Sequence, residues 1–392
     1  MNCLNKLFII FGFGLLCLHL YIYNYMVLCR WKYDDNADTT KIIMLGDPQM
    51  EGDARIRREG LKGEYNIFFN DNYMKHIVNS IDYFLNPMMV VVLGDLFSSQ
   101  YITDEEFQKR VKRYDNIFSP LKDYVKIVNI TGNHDVGYAN EVTDRRINRF
   151  EEAFGRVNDK FFFGGHLIGV LNSINLDGSM TEHFQKEAWD HLRELKHDAE
   201  ATQSPLIIVT HIPLYKDIKA IDRTQEPYKT HPYLCREEYI IHHTNQGFIK
   251  DQTMLTPETT DFILNEIKPA FIFNGHDHEG CIYKHTNSNT MEYTIRSMMG
   301  SYDGYSALFE FRKIKSSSTN NDNNDKNIEE KEIFEYEFQM CPFLHTKYIN
   351  ITVGVTAGWL VLFILFNIIL SIFKAIQRYR ISIIKKEQKK NI

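Results

Sequence analysis

The sequence lacks a surplus of basic charge, and this bears on the class of partner that it can bind. Its 392 residues contain 45 Lys and Arg against 51 Asp and Glu, so the formal net charge is -6. The middle of the chain has no Lys- and Arg-rich patch with interleaved aromatic residues, the pattern typical of nucleic-acid binders. No internal repeat is visible, and 44% of the residues are hydrophobic, enough to bury a sizeable core. We therefore expect a globular protein that does not bind nucleic acid.

Cysteine is scarce, and its distribution limits the disulfides that can form. Three of the six cysteines lie in or beside the apolar N-terminal stretch, and the others are Cys235, Cys281 and Cys341. Disulfides are permitted if this second group lies in an oxidising compartment. Three is an odd number, so at most one intramolecular pair can form among them, and we predict Cys235 with Cys281.

Two long stretches lack charge altogether, and they lie at opposite ends of the chain. Residues 7–28 and 349–373 contain no Asp, Glu, Lys or Arg, and each is long enough to cross about 30 Å of hydrocarbon as a helix. The alternative for the first stretch is a cleaved signal peptide. Its span exceeds the usual signal-peptide core, and tyrosines stand where small residues would mark a cleavage site, which favours an uncleaved anchor.

Basic residues follow the second apolar stretch and predict its orientation. Positive flanks of membrane helices stay in the cytosol, so residues 374–392 are predicted to be a cytosolic tail. With two crossings, residues 1–6 are cytosolic as well. The region between the two helices then lies in a lumen or outside the cell, with the protein embedded in a membrane.

The chain ends in Lys389-Lys390-Asn391-Ile392. This ending resembles the dilysine signal by which coat proteins return membrane proteins to the endoplasmic reticulum, an address read by a receptor. The alternative is a basic flank of the membrane helix, which explains the charge but not the spacing of the two lysines from the end. We therefore predict an endoplasmic reticulum membrane protein that cycles through the early Golgi, with coat proteins as partners through Lys389 and Lys390.

Apolar runs between the two ends predict strands that stop at polar residues. The run 125–131 ends in Gly132-Asn133-His134-Asp135, as a buried strand does when it delivers polar groups to a sheet edge. Helical patterns separate the runs, which predicts an α/β fold of sheets flanked by helices. We expect a domain over 41–314, a disordered low-complexity loop over 315–332 that cannot bury apolar surface, and a membrane-proximal segment over 333–348.

The polar residues at the strand ends have the chemistry of metal ligands. They are Asp47, Asp95, Asn133, His211, His276 and His278. Each alone is more often a turn, cap or satisfied polar residue, but as an ordered set they are improbable by chance. Ligands collect at the carboxyl ends of strands in α/β folds, and six O and N donors without cysteine are too many for one zinc ion. Two divalent metals about 3.5–4 Å apart, sharing a carboxylate, would use them all.

In order along the chain, the motifs Gly46-Asp47-Pro48-Gln49, Gly94-Asp95, Gly132-Asn133-His134-Asp135, Thr210-His211 and Gly275-His276-Asp277-His278 resemble the signature of the calcineurin-like metallophosphoesterases. The resemblance implies a four-layer β-sandwich flanked by helices, here with one transmembrane helix at each end. It also implies hydrolysis of a phosphoester.

The resemblance implies a role for each site residue. One metal would be held by Asp47, Asp95 and His278. The second would be held by Asp95, Asn133, His211 and His276, with Asp95 bridging. His134 would be the catalytic proton donor, oriented by Asp135. Gln49 stands where many members have His, and its weaker carbonyl ligand favours manganese over the alternatives iron and zinc.

Within this superfamily, the chain resembles the membrane-bound branch that removes ethanolamine phosphate from mannose of GPI anchors. The features in common are His211-Ile212-Pro213-Leu214-Tyr215, the Cys-bearing insertion 216–252, the segment Gly275–Cys281 and the paired terminal helices. The implied substrates are GPI-anchored proteins or the GPI glycolipid, and the implied process is GPI-protein maturation before export from the endoplasmic reticulum.

Two other functions remain open from the residues alone. The first is hydrolysis of another lumenal phosphoester, such as a phosphoprotein or nucleotide. The second is a non-catalytic membrane adaptor for cargo transport, although a binding module would have no need of His134.

Overall fold

The computed structural model describes residues 3–34, 36–229, 234–286, 288–319 and 328–390. These residues form two compact units: 26–343, and 1–25 together with 344–392. The first is the globular unit and the second contains the apolar helices.

The α-helices are α1 (Cys3–Tyr23), α2 (Asp53–Glu59), α3 (Leu61–Ser80), α4 (Asp104–Phe118), α5 (Asn133–Val136), α6 (Asp144–Phe154), α7 (Glu182–Thr202), α8 (Pro257–Phe262) and α9 (Thr346–Lys390). The π-helical segments Ile81–Leu85 and Ile263–Ile267 continue α3 and α8. Short 3-10 helices lie at Tyr25–Leu28, Ser173–Asn175, Ile218–Ala220 and Gly300–Tyr302. Helix α4 begins as its sequence predicts, because the Thr103 side chain accepts a hydrogen bond from Glu106 N.

The strands are β1 (Thr39–Leu45), β2 (Met89–Val92), β3 (Lys126–Asn129), β4 (Asp159–Phe163), β5 (His166–Val170), β6 (Leu206–Val209), β7 (Ile241–His243), β8 (Ile249–Gln252), β9 (Phe271–Asn274), β10 (Cys281–Lys284), β11 (Met291–Thr294), β12 (Ser306–Thr319) and β13 (Ile328–Cys341). They form a five-stranded sheet in the order β13-β12-β1-β2-β3 and a six-stranded sheet in the order β10-β11-β9-β6-β5-β4. A separate hairpin, β7-β8, lies in the insertion 216–252.

Each large sheet has a parallel centre. Strands β1, β2 and β3 run parallel in the first sheet, and β5, β6, β9 and β11 run parallel in the second. Side chains of both sheets form one core that includes Ile42, Val91, Ile207, Phe273 and Phe309. Strands β1, β2 and β6 are buried at every position, on both faces of their sheets, so they read as near-continuous apolar runs. The predicted mixed α/β architecture is confirmed.

The globular unit is larger than the predicted domain 41–314. Strand β13 pairs with β12 from Ile328 to Cys341, so most of the predicted membrane-proximal segment 333–348 belongs to the first sheet. The alternating aromatic residues Phe334, Tyr336 and Phe338 pack against the core, which explains the strand. Within the predicted low-complexity loop 315–332, the pairing of β12 extends to Thr319 and that of β13 resumes at Ile328; residues 320–327 lie outside the described residues.

The two apolar stretches form helices of the predicted kind. Leu4–Tyr23 and Thr346–Lys386 are long and apolar enough to cross a membrane. The first helix begins before the predicted span 7–28 and ends earlier, at Tyr23; Met26 is fully buried in the globular unit. Within the helical unit, α1 and α9 are in contact: Trp359 Nε1 donates to the Phe8 carbonyl over 3.3 Å. A side chain at Gly12 would collide with the Trp359 ring.

Two disulfide bonds cross-link the globular unit. The predicted pair Cys235–Cys281 is confirmed, with a Cα–Cα distance of 4.8 Å. A second pair, Cys29–Cys341, has a Cα–Cα distance of 6.0 Å. This pair differs from the sequence-based expectation because the first apolar helix ends at Tyr23, so Cys29 belongs to the globular unit and not to the apolar stretch.

We expect Cys341→Ser to destabilise the globular unit by about 2–5 kcal/mol, the usual effect of removing a native disulfide. The Cys29–Cys341 bond joins residues 312 positions apart, so it constrains nearly the whole unit in the unfolded state. Thermal unfolding of the detergent-solubilised chain would measure the loss. Cys17→Ser is the matched control, because Cys17 is a free cysteine; equal stability of the two variants would contradict the prediction.

Candidate active site at the carboxyl ends of the strands

The parallel strands of both sheets deliver the predicted site residues to one place. Asp47 follows β1, Asp95 follows β2, and Asn133 follows β3 in the first sheet. His211 follows β6, and His276 and His278 follow β9 in the second sheet. Asp47, Asp95 and His276 have positive φ angles of 41°, 50° and 71°, which are uncommon for residues other than glycine and frequent at functional sites.

The ligand atoms of these residues form two groups that share one carboxylate. Asp95, His211 and His276 form one group and Asp47, Asp95 and His278 the other, with ligand atoms within 4.8 Å of one another in each. Asn133 Oδ1 lies 3.0 Å from His211 Nε2, which places the amide beside the first group. All six predicted ligands are therefore brought together, and Asp95 lies where a bridging ligand would.

Glycines let the chain segments approach this closely. A Cβ atom at Gly132 would lie 2.1 Å from Asp95 Oδ1, and one at Gly94 would lie 2.4 Å from His211 Nδ1. Gly94 also has a φ of +92°. The glycines of the Gly-Asp and Gly-Asn-His-Asp motifs are thus required by contact with the ligands themselves.

Backbone carbonyls fix which imidazole nitrogen faces the site. His211 Nδ1 lies 2.8 Å from the Leu93 carbonyl, and His276 Nε2 lies 2.9 Å from the Gln252 carbonyl. A carbonyl only accepts, so these nitrogens carry the protons. His211 Nε2 and His276 Nδ1 are therefore the nitrogens that face the site and that a metal would bind, the usual arrangement for imidazole ligands. Gln252 was missed by the sequence analysis because it lies in the insertion, far from any strand-end motif.

The electrostatics of the site fit a cation. Burial raises the pKa of Asp47 well above its usual range. Burial has the same effect on Asp95, but the nearby His211 outweighs it and lowers the pKa of that carboxyl. Burial, together with His211, lowers the pKa of His276 to about 3. Burial lowers the pKa of His211, but Asp95 and Asp47 outweigh it and raise this pKa to about 9. The buried carboxylates are thus balanced by positive charge on His211, and a divalent metal bound to the same residues would supply that charge instead.

His134 lies beside the ligand groups without belonging to them. Its backbone N donates to Asp95 Oδ1 over 2.8 Å, and its half-buried ring has Nδ1 3.4 Å from Gln100 Nε2. The predicted orienting role of Asp135 is not what its contacts indicate. The Asp135 carboxylate accepts from the backbone N of Leu96, Phe97 and Gly132, so it holds the Asp95 loop against the Asn133 loop.

Gln49 contacts the shared carboxylate. Its Nε2 donates to Asp95 Oδ2 over 3.1 Å, and its backbone N donates to the Asp95 carbonyl over 2.8 Å. The side chain at this position therefore orients Asp95 in this arrangement.

A buried charged cluster supports the second sheet's contribution to the site. Glu292 on β11 receives Lys216 Nζ at 2.7 Å and lies 2.7 Å from His285 Nε2. It also accepts from Asn274 Nδ2 and from the Leu214 backbone N. Asn274 precedes the segment of His276, and Leu214 follows His211, so one carboxylate fixes both ligand-bearing segments. No local sequence pattern indicates this cluster, because its members are far apart along the chain.

We expect Glu292 to make the stability of the globular unit depend on pH. Burial opposes its ionisation, but Lys216 and His285 lower its pKa to about 2 from an ordinary value of 4.5. Its stabilisation is therefore complete above pH 4.5 and is lost as the pH falls toward 2. Glu292→Gln should reduce the stability at pH 7 by about 3 kcal/mol, and the deficit should shrink in acid.

Thermal unfolding of the purified chain from pH 7 to pH 3 would measure this difference. The matched control is Glu187→Gln, at an exposed position of α7. A deficit in Glu292→Gln that stays constant across this range would contradict an ionised Glu292.

Comparison with known proteins agrees with the site. The sequence profile of the calcineurin-like phosphoesterases matches residues 40–280. Protein TED1 of Saccharomyces cerevisiae is 27% identical over 396 residues, covering 79% of each chain. Metallophosphoesterase 1 of Danio rerio is 24% identical, covering 72% of this chain and 76% of its own. The matched region begins in β1 and contains every predicted ligand; this chain therefore belongs to the calcineurin-like phosphoesterase family and is a metal-dependent phosphoester hydrolase.

Proposed function

We propose that this chain is a membrane-anchored phosphodiesterase that removes ethanolamine phosphate from a mannose of GPI anchors in the early secretory pathway. The observation that carries the proposal is a short series of contacts from the site residue His278 to Phe343, the last residue of the globular unit. The ring of Tyr302 lies 4.9 Å from that of His278, and the neighbouring Asp303 carbonyl accepts from Phe343 N over 3.0 Å. Phe343 is the last residue of the unit before the apolar helix α9. A site so placed suits a phosphoester held at a membrane surface.

The family fold uses two divalent metals, and the donor set described above fits them. In our proposal Asp47, Asp95 and His278 hold one ion. Asp95, Asn133, His211 and His276 hold the other, and Gln49 in place of the His of many family members favours manganese. When bound, such ions supply a nucleophilic hydroxide at neutral pH and neutralise phosphoryl charge.

Residues of the chain position the shared carboxylate and supply a proton to the leaving group. Asp95 is fixed by His134 N and by Gln49, so the shared carboxylate has one orientation. The His134 ring is free of the ligand groups, and an imidazole can protonate the departing alkoxide near neutral pH. Gln100 contacts the ring nitrogen Nδ1, which leaves Nε2 for the substrate.

The topology belongs to the same proposal. Helices α1 and α9 would both cross the membrane, with the globular unit in the lumen of the endoplasmic reticulum. The disulfide Cys29–Cys341 supports an oxidising compartment. Lys389 and Lys390 would be read by coat proteins in the cytosol.

Mass analysis of GPI glycans from cells that lack the protein tests the substrate. Retention of ethanolamine phosphate on one mannose, reversed by the unchanged chain and not by Asp95→Asn, is the expected result. Unaltered glycans, together with manganese-dependent turnover of a chromogenic phosphodiester or monoester, would instead favour another lumenal phosphoester. Absence of turnover on both chromogenic esters would favour a cargo adaptor.

A further inference from the structure

The helix pair α2–α3 carries an exposed apolar stripe that has no role in the site. Leu61, Tyr65 and Phe68 are 83%, 55% and 67% exposed. Their spacing of four and three residues places them on one face of α3. Large apolar side chains grouped on one face of a helix mark an interaction surface more than a solvated one.

Basic side chains flank the stripe. Arg57 and Arg58 at the end of α2 and Lys62 at the start of α3 are exposed, and the Arg58 side chain is 66% exposed. An apolar helix face with basic residues beside it is the composition of helices that lie in the interface of a bilayer. Tyrosine is also enriched at the level of the lipid headgroups.

A row of aromatic rings joins the stripe to the place where the chain leaves the globular unit. Ring centroids are 6.0 Å apart for Tyr65 and Phe69, 6.4 Å for Phe69 and Tyr73, and 5.5 Å for Tyr73 and Phe343. Phe343 is followed closely by α9, which begins at Thr346. Three residues of chain reach only about 10 Å, so a membrane that contains α9 must begin near Phe343.

A second contact ties the far end of α3 to the N-terminal segment of the globular unit. Trp31 Nε1 donates to the Leu85 carbonyl over 2.6 Å, at the end of the π-helical continuation of α3. Trp31 is close in sequence to Cys29, which the disulfide ties to Cys341. Leu85 and Tyr73 are about 18 Å apart along the helix, so α3 and its continuation extend from the neighbourhood of Phe343 to that of Trp31 within the globular unit.

We propose that α2 and the first half of α3 dock on the membrane surface, with Leu61, Tyr65 and Phe68 among the lipid chains and Arg57, Arg58 and Lys62 at the lipid phosphates. This inference rests on the proposed membrane anchoring. Helix α2 follows the Asp47–Gln49 loop directly, so docking would hold the site at a fixed height over the bilayer. A lipid-anchored phosphoester would then meet the site without a search through solution.

The test is quenching of tryptophan fluorescence by brominated lipids in the full chain. The chain is reconstituted in nanodiscs of phosphatidylcholine and phosphatidylinositol, with or without bromine in the acyl chains. Phe68→Trp introduces the probe on the stripe, and Phe162→Trp is the matched control. Phe162 is 56% exposed on the edge strand β4. Each variant is compared with the unchanged chain, so that the native tryptophans cancel.

We expect the added tryptophan at position 68 to be quenched at least twofold more than the one at position 162. Replacing Arg57, Arg58 and Lys62 by Gln in the Phe68→Trp chain should reduce that quenching. Equal quenching at the two positions, or no effect of the three Gln substitutions, would overturn the proposal. Quenching of the native Trp359, identified by its loss in Trp359→Phe, measures whether the apolar helices are inserted in the bilayer, separately from docking. Neither measurement depends on the identity of the enzyme's substrate.

Discussion

Replacing His134 by alanine is expected to leave the bound metals in place and to reduce turnover by about 10²–10⁴-fold, as for other lost general acids. The His134 ring is outside both groups of ligand atoms. The contact that it makes with Asp95 comes from the backbone N, which alanine retains. The substitution therefore removes the proton donor and keeps the support of the shared carboxylate.

Turnover of a chromogenic phosphodiester and metal content by elemental analysis would be measured on the same preparation. His197→Ala is the matched control, since the His197 side chain is 82% exposed on α7. Near-normal turnover in His134→Ala would remove this residue from the mechanism. Loss of metal together with activity would instead indicate a ligand.

Replacing Asp95 by asparagine should abolish binding of both metals together. Asp95 is the only residue common to the two groups of ligand atoms that the described residues form, and it is almost fully buried. Asparagine keeps the shape but removes the charge that balances two cations, and its amide nitrogen cannot be a ligand. Turnover should fall to the background of the assay.

Elemental analysis after gel filtration would give the number of metals per chain. Asp261→Asn, at an exposed position of α8, is the control for loss of one surface charge. Retention of one metal in Asp95→Asn would refute the shared role of this carboxylate. A circular dichroism spectrum equal to that of the unchanged chain would show that the loss is local to the site.

The sequence was most informative where a metal-ligating residue type stands at the carboxyl end of a predicted strand. The apolar run of a buried parallel strand ends at the same edge of the sheet as the runs of its neighbours. Polar residues at the ends of such runs could therefore be identified as site residues: Asp47, Asp95, Asn133, His211 and His276. The same regularity predicted the α/β architecture. Long uncharged stretches also predicted the apolar helices α1 and α9, because about 20 consecutive apolar residues are typical of a helix long enough to span a bilayer.

Contacts between segments that are distant along the chain could not be predicted from the sequence. The bond between Cys29 and Cys341, the carbonyl of Gln252 on His276, and the cluster around Glu292 join residues that no local pattern relates. Asp135 was predicted to orient its neighbour His134, whereas its carboxylate accepts hydrogen bonds from the backbone of the Asp95 loop.

By itself, the sequence determined the ligand types, their order and the strands that carry them, since these follow from periodicity and side-chain chemistry within short segments. Only the tertiary structure decided which two groups the ligands form, which imidazole nitrogens face the site, and that the surface of α3 continues toward Phe343. Such features depend on how two sheets and their loops pack, and packing is set by the whole core rather than by any one segment.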